Sequence, residues 1–404
     1  MPLLARLSAL IAVLALSLPP APAFAQGEPI RIGVLTDMAG PNGDLAGQGS
    51  VLAAQMAAED AAKLLPGRRI EILQGDHQNK ADIGAGIASR WFDEGGVDAV
   101  ADMPFSSVAL AVQEVARRRN KITLFSGPGS SDLTGKSCSL TGFHFTFDTQ
   151  ALGAGTAAAM TKAGGDTWFF LTSDYAFGHA LERDASAVVI ANGGKVVGGV
   201  RHPPFAPDLS SFLLQAQASK AKVIGAANAA TDVINTVRQA QEFGLVQGGQ
   251  QIAGLLVFIS DIHALGLATA KGLKLTESFY WDMNEETRAW SERFAARHGG
   301  KKPTMVHAGV YGGVMHYLKG VAAAGDSKDG LKVAGAMKDI PVDDFMSRNV
   351  KILANGWVQR DFHLFEVKGT QESKGPWDYY RLVATIPGKE IRPDSAVSAC
   401  PLVK

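Results

Sequence analysis

Two serine-bearing turns carry residue types that could bind an anion. In the first, "MPFSSVAL" (103–110), Ser106 and Ser107 follow an apolar run and precede a stretch with helical spacing. Their hydroxyls and the first amides of the helix could receive a carboxylate, and Phe105 beside them could form an apolar wall. The alternative is a plain helix N-cap that touches no ligand.

The second turn, "FSGPGSSDL" (125–133), repeats this chemistry with more glycine. Gly127 and Gly129, on either side of Pro128, allow close backbone approach, while Ser130 and Ser131 offer hydroxyl and amide donors. The turn lacks the third glycine of G-x-G-x-x-G and the lysine of a P-loop, which disfavours nucleotide binding. A loop that merely reverses the chain is the alternative.

The stretch "LTSDYAFGHALERD" (171–184) places Tyr175 and Phe177 at the end of an apolar run. Aromatic rings there supply a flat surface for an apolar or aromatic solute, and the tyrosine hydroxyl adds a polar group. The chain contains neither G-x-S-x-G nor H-E-x-x-H. We therefore interpret this stretch as the wall of a binding pocket and predict no catalytic residue.

Two polar residues follow further apolar runs: Asn228 in "GAANAATD" and Asp261 in "VFISDIHALG". Both positions suit ligand contact, but Asp261 equally suits the start of the helix that follows it. His307 and His316 lie on a helical stretch without neighbouring ligands of suitable type, so we predict no metal and no other cofactor.

The composition and the two ends bound the class of protein. Residues 1–25 combine Arg6, the apolar core "LSALIAVLALSL" and small residues at Ala23 and Ala25, which predicts a cleaved export signal. Lys plus Arg and Asp plus Glu number 39 each, which does not fit a nucleic-acid binder. In an oxidising compartment the only cysteines, Cys138 and Cys400, predict a disulfide, with two free thiols as the alternative.

The order of apolar and helical stretches predicts an α/β fold. Short apolar runs such as "IRIGVL" (30–35) and "DTWFFLTSD" (166–174) alternate with longer segments of helical periodicity. This alternation favours parallel sheets covered on both faces, and the length favours two domains. We predict one lobe from residues 26–148 plus 278–345, and a second from 149–277 plus 346–404, including the C-terminal tail.

Several segments, in the right order over nearly the whole mature chain, resemble one protein family. They are "IRIGVLTDMAGP", "PFSSVALAV", "LFSGPGSSDLTG", "SDYAFGHAL", "FYWDMNEETRAWSERF" and "HAGVYGGVMHYLKGVAAAG". The sequence is similar to the type I periplasmic solute-binding proteins of ABC importers, in the branch of the leucine/isoleucine/valine-binding protein. The resemblance implies two Rossmann-like lobes, joined by three crossing segments, that close on one small solute. It also implies a periplasmic monomer whose partners are ABC permease subunits in the inner membrane.

The resemblance assigns roles to the same residues. The turn at Ser106 and Ser107 would contact the solute, the "GPGSS" loop would bind its carboxylate, and an acid near Asp261 would pair with an ammonium group. If Asp261 does not reach the cleft, a simple carboxylic acid is the better ligand. The ligand would be a branched-chain amino acid or an aromatic acid, while an amide or urea sensor and a periplasmic enzyme are alternatives. The predicted ligand-binding residues are Phe105, Ser106, Ser107, Gly127, Pro128, Ser130, Ser131, Tyr175, Phe177, Asn228 and Asp261.

Overall fold

The computed structural model describes residues 28–394 and 399–403, so the predicted export signal lies outside the described residues. The first lobe is built on a parallel five-stranded sheet of order β2-β1-β3-β4-β5. Its strands are almost wholly buried except β2, as the apolar runs predict. They are β1 Ile30–Thr36, β2 Ile70–Asp76, β3 Ala99–Asp102, β4 Ile122–Phe125 and β5 Gly142–His144.

Helices cover both faces of this sheet. On one face α1 packs against α12, and on the other α2 packs against α3. Small residues in α1 and α12 let their backbones approach; an ideal Cβ at Gly49 would lie 2.3 Å from the His307 ring. The helices are α1 Gly47–Ala61, α2 Ala81–Asp93, α3 Ser106–Arg118, α11 Glu285–Arg297, α12 Met305–Ala324 and α13 Gly330–Asp339.

The second lobe contains a parallel sheet of order β7-β6-β8-β9 and an antiparallel sheet of order β10-β13-β14. The strands are β6 Thr167–Ser173, β7 Lys195–His202, β8 Val223–Ala227, β9 Gln251–Gly254, β10 Lys274–Glu277, β13 Phe362–Val367 and β14 Tyr380–Ile386. The helices are α4 Thr149–Leu152, α5 Ala158–Lys162, α6 Ala176–Ala191, α7 Ser210–Ala218, α8 Thr231–Glu242, α9 Ile259–Leu265 and α10 Leu267–Ala270. A π-helical turn, Gly153–Ala157, joins α4 to α5. The predicted fold class, two α/β lobes with parallel-sheet cores, is confirmed.

The chain passes between the lobes after β5, after β10, before β13 and again after β14. The hairpin of β11 Val342–Asp344 and β12 Ser347–Val350 carries Phe345, whose ring stacks on Trp290 of α11 at 4.6 Å. Trp357 then forms a bridge with His144 at the edge of the first sheet. Residues 347–358 therefore lie beside the first lobe. We predicted the segment 346–404 for the second lobe, and β13 and β14 are the part of it that lies within the sheets of that lobe.

The C-terminal tail returns to the first lobe. After a short helix, α14 Gly388–Ile391, the buried Arg392 forms an ion pair with Asp148 and donates to Thr134. Cys400 forms a disulfide with Cys138, in the loop before β5, with a Cα–Cα distance of 5.6 Å. The tail is thus held both by a covalent link and by a buried charge pair. Among the described helices, none has the length and apolar character to cross a membrane.

Candidate functional site

The carboxyl ends of the two parallel sheets meet at a cluster of aromatic rings. Phe105, at the N-cap of α3, stacks on Tyr175 of the second lobe with ring centroids 4.3 Å apart and planes 2° apart. Phe205, which follows β7, lies 5.8 Å from Phe105, and Phe177 lies 5.9 Å from Tyr175. We call Phe105, Tyr175, Phe177 and Phe205 the interlobe aromatic cluster. It joins the lobes at the strand ends, where open α/β sheets place their ligands.

The glycines of the "GPGSS" loop are required by close packing. An ideal Cβ at Gly129 would lie 2.7 Å from a ring carbon of Phe177 and 2.8 Å from one of Phe147. At Gly127 the same atom would lie 2.6 Å from the Pro104 Cα. The loop therefore packs directly against the interlobe aromatic cluster, and a side chain at Gly129 would displace it. The Pro128 carbonyl meets His144 Nε2 at 2.8 Å, within the first lobe.

The two serine turns are neighbours in space. The Ser130 amide donates to Ser106 Oγ at 3.2 Å, and both residues are buried, whereas Ser107 is half-buried. The N-cap residue Phe105 supplies no side-chain acceptor to the first turn of α3. The N-terminal amides of α3, with their positive helix-dipole end, thus lie beside two serine hydroxyls, an arrangement suited to a carboxylate.

Ser131 takes part in a polar network between the lobes. Its hydroxyl donates to Asp184 Oδ2 at 2.6 Å and accepts from Arg183 at 2.7 Å. Arg183 also contacts Asp132 of the first lobe at 3.1 Å. The Ser131 hydroxyl therefore links the first lobe to α6 of the second, although it belongs to the predicted ligand-binding set.

The end of β8 holds a polar cluster around Asn228. The Asn228 amide lies 3.1 Å from His202 Nε2 and 3.0 Å from Thr236 Oγ1. Asp232, in the first turn of α8, accepts from the Ser173 hydroxyl and the Phe205 amide, each at 3.1 Å. Burial raises the pKa of Asp232. Asn228 was among the predicted residues, whereas Asp232 and His202 were missed; the signal that could have found Asp232 is an acid directly after the polar end of a strand.

Asp261 serves the start of α9. Its Oδ2 accepts from the Phe258 amide at 2.9 Å, so the acid closes the first turn of the helix. Burial raises the pKa of Asp261 to about 7. The four residues after β9, Leu255 to Phe258, are buried and apolar. Of the two roles considered for Asp261, ligand contact and closing the first turn of the helix, the structure shows the second.

Asp102, like Asp232, was not among the predicted ligand-binding residues. It ends β3 just before the turn at Ser106 and Ser107. Its backbone has φ +79°, in the left-handed region, and Met103 follows with φ +61°. The carboxylate is fully buried, and its Oδ1 lies 2.8 Å from the position of an ideal Cβ at Gly127. Burial raises the pKa of Asp102 to about 7. Unusual backbone conformations of this kind concentrate at functional sites.

Comparisons with known proteins agree with this architecture. A family model described as periplasmic binding protein matches residues 29–375. A periplasmic binding protein from Burkholderia mallei is 45% identical, covers 93% of this chain and 99% of its own, and has a TM-score of 0.90.

A branched-chain amino acid ABC transporter periplasmic ligand-binding protein from Burkholderia xenovorans LB400 is 35% identical, covers 93% of this chain and 100% of its own, with a TM-score of 0.81. A solute-binding protein from R. palustris in complex with benzoate shares the fold at 20% identity, covering 89% of this chain and 97% of its own, with a TM-score of 0.78. Among curated proteins, none matches this chain. The chain belongs to the periplasmic binding protein family, and its structural neighbours are type I periplasmic binding proteins of ABC transporters.

Proposed function

We propose that this protein is the exported solute receptor of an ABC importer and that it binds a small organic carboxylate between its two lobes. The observation that carries the proposal is the meeting of the two serine turns and the interlobe aromatic cluster at one boundary. Ser106 and Ser130 lie side by side next to the start of α3, and Phe105 of that turn stacks on Tyr175 of the other lobe. One solute could contact all four residues.

In this proposal the carboxylate of the solute binds to the first lobe. The N-terminal amides of α3, with Ser106 and Ser107, donate hydrogen bonds to it, and hydrogen bonds to an ionised group are stronger than those to a neutral one. The "GPGSS" loop approaches from the neighbouring strand, because its glycines leave no side chain between the loop backbone and the cluster. The carboxylate is thereby held at the end of the sheet that faces the second lobe.

The body of the solute contacts the interlobe aromatic cluster. Phe105 and Phe177 are almost fully buried, and Tyr175 is half-buried between them. Burying an apolar body against such rings contributes about 25 cal/mol per Å² removed from water. A branched-chain amino acid and an aromatic acid both satisfy this requirement. Structural neighbours named for branched-chain amino acids and for benzoate support either class.

Ligand binding would stabilise the joined arrangement of the lobes. The contacts between Phe105 and Tyr175, between Ser131 and Asp184, and between Arg183 and Asp132 all cross the boundary. A solute that touches both lobes binds the joined state better than a separated one, so it shifts the population toward closure. The permease would then recognise the closed protein. Export to the periplasm, with removal of residues 1–25, is part of this proposal.

Thermal denaturation in the presence of a ligand panel tests the proposal. We expect one class among amino acids and aromatic acids to raise Tm, because a ligand at one hundred times its Kd adds about 2.7 kcal/mol of stability. Replacing Ser107 by Ala should weaken binding of that ligand about tenfold to hundredfold, the effect of losing a hydrogen bond to a charged group. Ser211→Ala, at an exposed position on α7, is the matched control and should bind normally.

Two results would contradict the proposal. One is a panel in which no carboxylate changes Tm. The other is a Ser107→Ala variant that binds as tightly as the Ser211→Ala control. Native mass spectrometry of the purified protein provides an independent readout, since a solute that is trapped between the lobes adds its own mass to the folded protein.

A further inference from the structure

Two buried oxygen atoms at the end of β8 have no hydrogen-bond partner. They are Oδ1 of Asp232 and Oδ1 of Asn228, in residues that are 2% and 0% exposed. A buried acceptor without a partner costs about 1 to 3 kcal/mol, and most such groups in folded proteins are satisfied. Two of them in one cluster would be satisfied by a donor from outside the chain.

The hydrogen bonds around Asn228 determine which of its atoms is free. His202 Nδ1 lies 2.9 Å from the Pro203 carbonyl, so this nitrogen carries a proton, and in the neutral imidazole Nε2 is then an acceptor. The Thr236 hydroxyl donates its proton to the backbone carbonyl of Asp232 at 2.8 Å, so Thr236 Oγ1 is also an acceptor toward Asn228. With His202 neutral, the Asn228 NH₂ points at both acceptors, and its Oδ1 is left without a partner.

The Asp232 carboxylate accepts from the Ser173 hydroxyl and from the Phe205 amide through Oδ2. The Ala206 amide lies close enough to lower the pKa of Asp232, but no donor has hydrogen-bond geometry at Oδ1. The residue before α8, Ala230, has φ +54°, a strained conformation for a residue with a Cβ. A buried acid with one free oxygen, an amide with one free oxygen and a strained turn thus occur within five residues.

This polar cluster is connected to the interlobe aromatic cluster through shared segments of the chain. Ser173, which donates to Asp232, is two residues before Tyr175, and the Phe205 amide that donates to Asp232 belongs to a residue whose ring contacts Phe105. The negative charge of Asp232 also helps to raise the pKa of Tyr175, after the larger effect of burial. The free oxygens are therefore tied to the same residues that would hold the body of the solute.

We propose, on the basis of the function proposed above, that Asp232 and Asn228 form an acceptor pair that binds a hydroxyl or amino group of the solute. The carboxylate of the solute would bind at the first lobe and its donor group at the second. The ligand class narrows accordingly to carboxylates that carry a hydrogen-bond donor, such as hydroxylated aromatic acids or amino acids. An acid whose body is purely apolar would leave both oxygens without a partner.

Calorimetric titration of the mature protein with two matched ligand pairs tests this inference. In the first pair, 4-hydroxybenzoate and 4-fluorobenzoate differ in the hydroxyl donor; in the second, leucine and 4-methylpentanoate differ in the amino donor. We expect the donor-bearing member of one pair to bind at least tenfold more tightly. A preference within the first pair identifies the donor as a hydroxyl group, and a preference within the second pair identifies it as an amino group.

The Asp232→Asn variant provides the second measurement. Its side chain can still accept from Ser173 and Phe205 through one oxygen but presents an NH₂ where Asp232 has its free oxygen. We expect the variant to lose the preference for the donor-bearing ligand, while Asp208→Asn, at an exposed acid before α7, keeps it. Because the ligand pairs are compared on the unaltered protein, the inference is still tested if Asp232→Asn does not fold.

The failures of the two proposals can be told apart. If a carboxylate binds but neither pair shows a preference for its donor, the acceptor pair is refuted while the solute receptor stands. A preference that persists in a folded Asp232→Asn variant also refutes it. If no carboxylate of the ligand panel changes Tm, the proposed function fails and this inference fails with it.

Discussion

Removing the Cys138–Cys400 disulfide should lower the free energy of unfolding. The bond joins positions separated by 262 residues, and both cysteines are buried. In the chain-entropy model, closing a loop of this length contributes roughly 5 to 6 kcal/mol, because the restricted unfolded chain loses conformational freedom. Native disulfides measured in other proteins contribute about 2 to 5 kcal/mol, and we expect a value in that range.

Urea denaturation of the double variant Cys138→Ala/Cys400→Ala measures this contribution. Compared with the oxidised wild type, the variant should unfold at lower urea concentration. Adding a reductant should bring the wild type close to the variant and should not change the variant itself, which is the control for effects of the reductant. The reasoning is refuted if the native protein titrates two free thiols, or if the two proteins unfold with the same free energy.

Three further predictions follow from buried groups. The folded pKa of Asp261, about 7, exceeds its unfolded value, so between about pH 4 and 7 the folded protein holds a proton that the unfolded chain has released. The free energy of unfolding should therefore fall as the pH rises through this range, by up to about 1.4 kcal/mol per pH unit. Asp261→Asn should remove that part of the slope in denaturation curves taken across this range; an unchanged slope contradicts it. Asp148→Ala leaves the buried Arg392 without its counter-ion and should cost about 3 to 5 kcal/mol in urea denaturation, against less than about 1 kcal/mol for the exposed control Asp166→Ala. Gly129→Ala should lower stability by about 1 to 3 kcal/mol in the same assay, since the new Cβ would collide with two phenylalanine rings; wild-type stability would show that the loop can move aside.

Much of the candidate site could be predicted because parallel strands end at the same edge of their sheet. The turns at Ser106 and Ser130 follow adjacent strands, β3 and β4, so their proximity follows from the fold class alone. The role of Asp261 could not be decided in this way. An acid three residues into a helix can close its first turn or reach a ligand, and the Phe258 amide that it accepts from is visible only in three dimensions.

In the second lobe, the role of an acid depends even more on residues that are distant in sequence. Asp232 has the sequence context of an ordinary acid in a first helical turn, and only the positions of Ser173 and Phe205, 59 and 27 residues away, show that one oxygen is used and the other is not. Whether a buried polar atom is satisfied depends on groups that are distant in sequence, and no local pattern records it. Residues 347–358 illustrate the point for topology, because a polar segment without strong periodicity does not indicate which lobe it joins.

By itself, the sequence determined the class of the protein: the alternation of apolar and helical segments, the order of the glycine- and serine-rich turns, and the pair of cysteines. Those features are local, because backbone sterics and hydrophobic periodicity favour the same kind of element wherever such a pattern occurs. Only the tertiary structure decided that Phe105 stacks on Tyr175 across the lobe boundary, and that the hydroxyl of Ser131 bonds to α6. These contacts depend on how two separately folded sheets face each other, which is set by long-range packing rather than by any short stretch of chain.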